Sequence, residues 1–182
     1  MMIYTVECSF ADPVSEAEWN DFYSLEKLPA LISLSGFRTS QRFKALSKDC
    51  PVYLALHTID HLDVLLSEEY RRKGGGNFAR WQQHITHWHR NLYETPAPAP
   101  ALLYGAYLLL SATGPDPLLA MGLSPWLLNA VALEKFPPQR WMAVLPDSME
   151  IDPAALPEGI HLYTPMTAQL RSGSGPANQA AS

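Results

Sequence analysis

Cysteine is almost missing: Cys8 and Cys50 are the only two in 182 residues. That excludes a disulfide framework or a cysteine-rich zinc site and suits a reducing compartment. Basic residues are also scarce, 13 Lys and Arg against 18 Asp and Glu, for a formal net charge of −5. The short clusters Arg71-Arg72-Lys73 and Arg38/Arg42/Lys44 fall short of the surface needed to neutralise nucleic-acid phosphates. The longest apolar run, Pro100 to Ala112, is shorter than the roughly 20 residues of a membrane-spanning helix. The opening MMIYTVECSF lacks the parts of a secretory signal. These absences lead us to expect a cytoplasmic protein with neither nucleic acid nor membrane as partner.

What is present is apolar and aromatic: 47% of the chain is hydrophobic and 10% is Phe, Trp or Tyr, enough for a real core. Residues 2–10 alternate Tyr4, Val6, Cys8 and Phe10 with Thr5, Glu7 and Ser9, the period of a half-buried strand. Ser15 and Glu18 resemble a capping box, and Trp19, Phe22, Tyr23, Glu26 and Leu28 follow helical spacing up to Pro29. Residues 37–46 and 52–59 read as strands. A helical stretch from Leu62 runs to Gly74-Gly75-Gly76, a mobile loop rather than a phosphate cradle, since it does not follow a strand or end in Lys-Ser/Thr.

The stretch HITHWHRNLY, residues 84–93, carries three histidines in six positions. Phe78, Trp81, Ile85, Trp88 and Leu92 recur at helical spacing, so a helix capped by Asn77 is expected over 78–93. His84 and His89 then lie at opposite edges of the apolar stripe and His87 faces solvent, so no metal site is expected. TPAPAP, residues 95–100, is a stiff connector. Further strands are read at 104–111, 128–134, 141–145 and 160–164, and a disordered tail over 171–182.

The expected fold class is therefore α+β: a ferredoxin-like β-α-β-β-α-β unit over 1–112, with a degenerate second half or strand-rich extension over 113–170. The open face of such a sheet must be covered, by a second chain or by the extension.

The residues Trp19, Phe22-Tyr23, Glu26-Lys27-Leu28-Pro29, Gly36-Phe37 and Arg42-Phe43 resemble the dimeric α/β barrel superfamily, EthD-like members in particular. The resemblance covers about residues 2–112 and implies a homodimer with a small-molecule pocket between the open sheet face and its partner. It spans isomerases, cyclases, dehydratases, cofactor-independent monooxygenases and haem proteins, and so does not choose a reaction. Lys27 stands where many relatives carry histidine.

On residue chemistry, His57 is the expected proton carrier, with Glu7 as orienting group or second base and Tyr53 as oxygen anchor. These would share the barrel interior with Thr5 and Ser9, opposite Val52, Leu54 and Leu56, which would pack on the helices. Arg42 is a candidate anion clamp, unless it is the structural partner of Glu7. Lys27 lines the pocket mouth or is a surface charge at a helix end. His84 and Trp88 complete the expected substrate contacts. The leading expectation is cofactor-free proton-transfer chemistry, of isomerase, cyclase, dehydratase or lyase type, on an aromatic or lactone-like metabolite. The alternatives are a haem-binding or monooxygenase-type protein and a non-catalytic metabolite binder.

Overall fold

A computed structural model describes residues 1–74 and 78–173. Nine strands form a single antiparallel sheet: β1 (Met2–Phe10), β2 (Phe37–Ala45), β3 (Tyr53–Ile59), β4 (Ile85–Glu94), β5 (Tyr107–Ser111), β6 (Trp126–Leu133), β7 (Gln139–Leu145), β8 (Ile160–Pro165) and the short β9 (Leu170–Arg171). Their order is β3-β1-β4-β6-β7-β5-β8-β2-β9, and β2 also pairs with β3. The first eight thus close into a ring within one chain, with β8 joined to β2 through Phe43↔Pro165, Lys44↔Thr164 and Ala45↔Tyr163.

This overturns the expected fold class. The chain is mostly β, a closed eight-stranded barrel, rather than an α+β ferredoxin-like unit with a degenerate second half whose sheet awaits a partner. The physical reason is that β5 to β8 supply hydrogen-bonded wall, so no second chain is needed for closure. The helices are short: α1 (Glu16–Phe22), a π-helical turn (Tyr23–Lys27), α2 (Leu28–Ile32), α3 (Asp63–Leu66), α4 (Glu68–Lys73), a 3-10 turn (Ala79–His84) and α5 (Asp116–Ala120). Gly36 turns the chain from α2 into β2 at φ +89°, where a Cβ would meet Val64 Cγ2 at 2.3 Å, so only glycine fits. The Asn77 cap, Gly75, Gly76 and residues 174–182 of the expected tail lie outside the described residues.

The largest departure is at HITHWHRNLY. The expected helix over 78–93 is a 3-10 turn followed by β4. Between Ser9↔Thr86 and Glu7↔His89 the register against β1 shifts, and His87 has φ +54°. This is a β-bulge, and the extra residue sets Ile85 and Trp88 three apart on one face, the same spacing a helix gives.

The inner face of the sheet is buried, and the outer face is covered in part, leaving residues such as Leu127 and Asn129 of β6 exposed. Ile3, Phe43, Leu54, Leu56, Leu108 and Met142 fill the lumen with other apolar side chains. The connector after TPAPAP adds Ala99 and Leu102, held by Ala99 N–H to Thr58 Oγ1 and Leu102 N–H to Gln41 Oε1. Tyr4, Val6, Cys8, Trp19, Tyr23 and Leu28 belong to a second core between the outer face and α1 to α4. The far side of the barrel packs Leu109, Leu145 and Leu162 under Leu118 of α5. One ion pair lies in the lumen: Arg140 donates twice to Glu7, at 3.1 Å each. Glu7 is thus paired with Arg140, not with Arg42.

Arg140→Ala strands the Glu7 carboxylate and should lower the unfolding free energy by about 3–5 kcal/mol in a guanidinium titration. The double variant Glu7→Leu/Arg140→Met should recover most of that loss. An equal deficit in both would show that charge pairing is not what this site contributes.

Candidate functional site

The register of β1 against β3 sorts the chemistry-bearing residues. Tyr4 pairs with His57 and Val6 with Ala55, whereas Thr5 pairs with Leu56 and Glu7 with Leu54. Directly paired residues share a face, so His57 and Glu7 lie on opposite sides of the sheet. The expected grouping is therefore reversed for β3: Leu54 and Leu56 enter the lumen, while Tyr53 and His57 face the helices. Every residue of β3 is buried, so alternation of polarity could not reveal its direction.

A small, partly open cavity lies between this outer face and the helices, lined by Tyr4, Val6, Tyr23, Lys27, Leu31, His57, Tyr70, Gly74 and Trp88. Its free volume is about 10 Å³, the room of about one water. His57 is fully buried. Its Nδ1 and Ser40 Oγ are 2.6 Å apart, its ring stacks on Tyr4 at 5.5 Å, and Phe37 meets it edge-on. Nε2 is buried with no hydrogen-bond partner. Burial, reinforced by the Lys27 charge, pulls the His57 pKa down to about 3, so the ring is neutral at working pH.

Lys27 ends the π-helical turn, a distortion that often marks functional positions. It is 8% exposed, with its ammonium 4.6 Å from the centre of the Phe78 ring, and burial lowers its pKa to about 8. Tyr4 OH and Tyr70 OH are 2.9 Å apart, and Arg90 donates to Tyr4 at 3.2 Å. Burial raises the Tyr4 pKa well above the usual phenol value, and Arg90 opposes that only in part. Among the described residues, the cavity lining contains an imidazole, an ammonium and three phenols but no carboxylate.

Of the expected site residues, His57, Lys27 and Trp88 line this one cavity. Arg42 faces the same layer but stacks over Tyr23 at 4.0 Å, donating to Ser24 Oγ and to Asn20. Tyr53 donates to Glu16 and accepts from Asn20. Glu7 and Thr5 point into the packed lumen, where Thr5 donates to the Asn91 carbonyl. Ser9 accepts from the Val52 N–H. His84 sits at the end of the 3-10 turn, 3.8 Å from Asp12. His87 is the exposed bulge residue, and His89 hydrogen-bonds Glu134. The three histidines do not converge, and among the described residues no three His, Cys, Asp or Glu side chains gather in a metal-ligating group.

Sequence reasoning missed Tyr4, Tyr23, Tyr70, Arg90 and Ser40. The first had a signal, since Tyr4 alternates with Thr5 and Glu7. The others depend on long-range pairings that no local pattern encodes. Four larger grooves open on the surface, from about 340 to about 580 Å³. Among the described residues, none is lined by a buried titratable group, so the small cavity is the chemical candidate.

No family model matches the sequence, and no curated protein matches it. The fold is similar to two solved structures. An anthrone oxidase-like protein superposes with TM-score 0.59 at 10% identity, covering 95% of this chain and 93% of the other. A provisionally assigned monooxygenase from Lactobacillus acidophilus NCFM superposes with TM-score 0.54 at 7% identity, covering 92% and 95%. Identity this low shows shared architecture alone. Among the described residues, no helix is long and apolar enough to cross a membrane.

A neutral His57 has a stability signature. The unfolded ring binds a proton below its ordinary value of 6.5, and the folded ring resists until about 3. Stability contributed at this position is therefore lost as pH falls through that window, by roughly 1.4 kcal/mol per unit. His57→Phe should remove that slope. A difference in unfolding free energy between wild type and variant that stays constant from about pH 7 to pH 5 would contradict the neutral assignment.

Proposed function

We propose that this protein is an oxygen-dependent oxidase of an enolisable polycyclic phenol, of the anthrone type. The observation that carries the reading is the unpartnered Nε2 of buried His57 in a cavity that also holds Lys27 and, among the described residues, has no carboxylate. The shared architecture with an oxidase-like protein and a provisionally assigned monooxygenase supports this class over the isomerase, cyclase or lyase reading. The partial resemblance of residues 2–112 to the dimeric α/β barrel superfamily is compatible with it. A haem reading loses its motive, because the helix that would have presented an axial histidine is the strand β4.

In the tautomer in which Nδ1–H donates to Ser40, the Nε2 lone pair is free to accept a substrate hydroxyl proton. His57 is a weak base in the empty site because an imidazolium there lacks a counter-charge. The substrate oxyanion is that counter-charge, so its formation raises the basicity of the ring as the proton arrives. Lys27, protonated below about 8, stabilises the oxyanion in a largely buried site. The delocalised carbanion then reduces molecular oxygen. Overall the ring CH2 becomes C=O, one O2 is consumed and one water leaves.

The test is oxygen uptake with anthrone as probe. His57→Phe should cut kcat at least about 100-fold, and Lys27→Met should act mainly on kcat with loss of the alkaline limb near pH 8. Ser40→Ala is a positioning variant, with a smaller effect on kcat and a changed imidazole 15N tautomer signature. Retained turnover in His57→Phe, or stoichiometric binding of anthrone without oxygen uptake, would sink the reading.

A further inference from the structure

The cavity is far too small for any aromatic substrate: about 10 Å³ is free, against the roughly 300 Å³ or more of ordinary small-molecule sites. Some wall must give way. β1, β3 and β4 are tied into the closed ring, whereas α4 has six residues and one buried side chain, Tyr70. Its start is an extended break at Ser67, with φ −68° and ψ 151°, and it ends at Gly74. Among the described residues, the bond that ties α4 to the turn before β2 is long, Ser35 N–H to Glu69 Oε2 at 3.4 Å.

The Tyr70 ring is held as a ligand would be. It stacks on Phe37 at 6.1 Å with an interplanar angle of 13°, and meets Tyr4 edge-on at 6.4 Å. Its hydroxyl lies 2.9 Å from Tyr4 OH, and the Arg90 guanidinium sits beside both phenols. We propose that the space filled by the Tyr70 ring is a phenol-binding subsite, and that a phenolic ring of the substrate takes it as Tyr70 and α4 swing out. The identity of the natural occupant rests on the oxidase reading; the subsite itself does not.

Substrate and Tyr70 compete for one set of partners: the Phe37 face, the Tyr4 edge and the hydroxyl contacts of Tyr4 and Arg90. Apparent affinity is then reduced by the fraction of molecules in which Tyr70 is seated. Weakening the plug should raise the affinity for a phenol.

The experiment measures binding of phenol and of benzene to wild type and Tyr70→Ala by calorimetric titration. Tyr70→Ala should bind phenol at least about tenfold more tightly than wild type does, and about tenfold more tightly than it binds benzene. Adding Tyr4→Phe should erase the preference for phenol. Equal binding of phenol and benzene would reveal a plain apolar hole and overturn the subsite, as would no phenol binding by a cooperatively folded Tyr70→Ala. If that variant does not fold, Tyr70→Phe keeps the ring and removes the hydroxyl contact. It should show faster amide exchange across α4 and several-fold tighter phenol binding than wild type, and unchanged exchange would overturn the proposal. Phenol binding is read without turnover. Failure of the oxidase assay with phenol bound would therefore reject the reaction and leave the subsite standing.

Discussion

Closure of the sheet through the β8–β2 pairing makes its inner face an interior, and α1 to α4 cover the outer face of β1 and β3. In an open sheet one face could remain wet, and a misplaced polar group would simply be hydrated. Here each side chain of β1 is committed by parity alone: Thr5 and Glu7 enter the lumen, and Tyr4 and Val6 go under the helices. A one-residue slip would bury Glu7 against Trp19 and Tyr23 and move Tyr4 away from His57. The register of β1 with β3 and β4 therefore separates the lumen's polar system from the helix-side layer that holds the candidate site.

The two systems differ in how their hydrogen-bonding capacity is spent. In the lumen, Glu7 receives two bonds from Arg140, and Asn91 donates to Tyr93 OH and to the Phe136 carbonyl. These bonds pair the lumen's charges, although Asn91 Oδ1 and Tyr163 OH are, among the described residues, buried there without hydrogen-bond partners. On the helix side, Ser40 engages one nitrogen of His57 and the other has no protein partner. An unsatisfied buried polar atom costs about 1–3 kcal/mol, a cost with no structural return in a layer otherwise built from Tyr, Phe and Trp contacts.

Much of the wall was legible in the sequence, because β1, β2, β6, β7 and β8 show alternation or compact apolar runs bounded by Gly and Pro. Two features were not. In β4, the bulge at His87 inserts one residue between Ile85 and Trp88, so a strand imitates the spacing of a helix. Ile85, Thr86, Trp88 and Tyr93 do favour strand by side-chain type, a cue that periodicity outweighed. In β3, apolar residues on both faces hide the strand's direction, which reversed the grouping of His57 with Glu7. Lys27 was recognisable as a departure from the motif it sits in. Only the π-helical turn Tyr23–Lys27 accounts for how a residue next to a helix end becomes buried.

The charge of the helix-side layer limits what can bind there. Lys27, Arg42 and Arg90 all face it, and Arg42 is wholly buried among neutral partners, the Tyr23 ring, Ser24 and Asn20. A cation would add to this positive charge. The aromatic proposed above, which loses a proton on binding, does not: its rings match Phe37, Tyr4 and Trp88, and its oxyanion answers the field. In that proposal, the electrostatics that make His57 a poor base in the empty protein favour a ligand that restores its basicity.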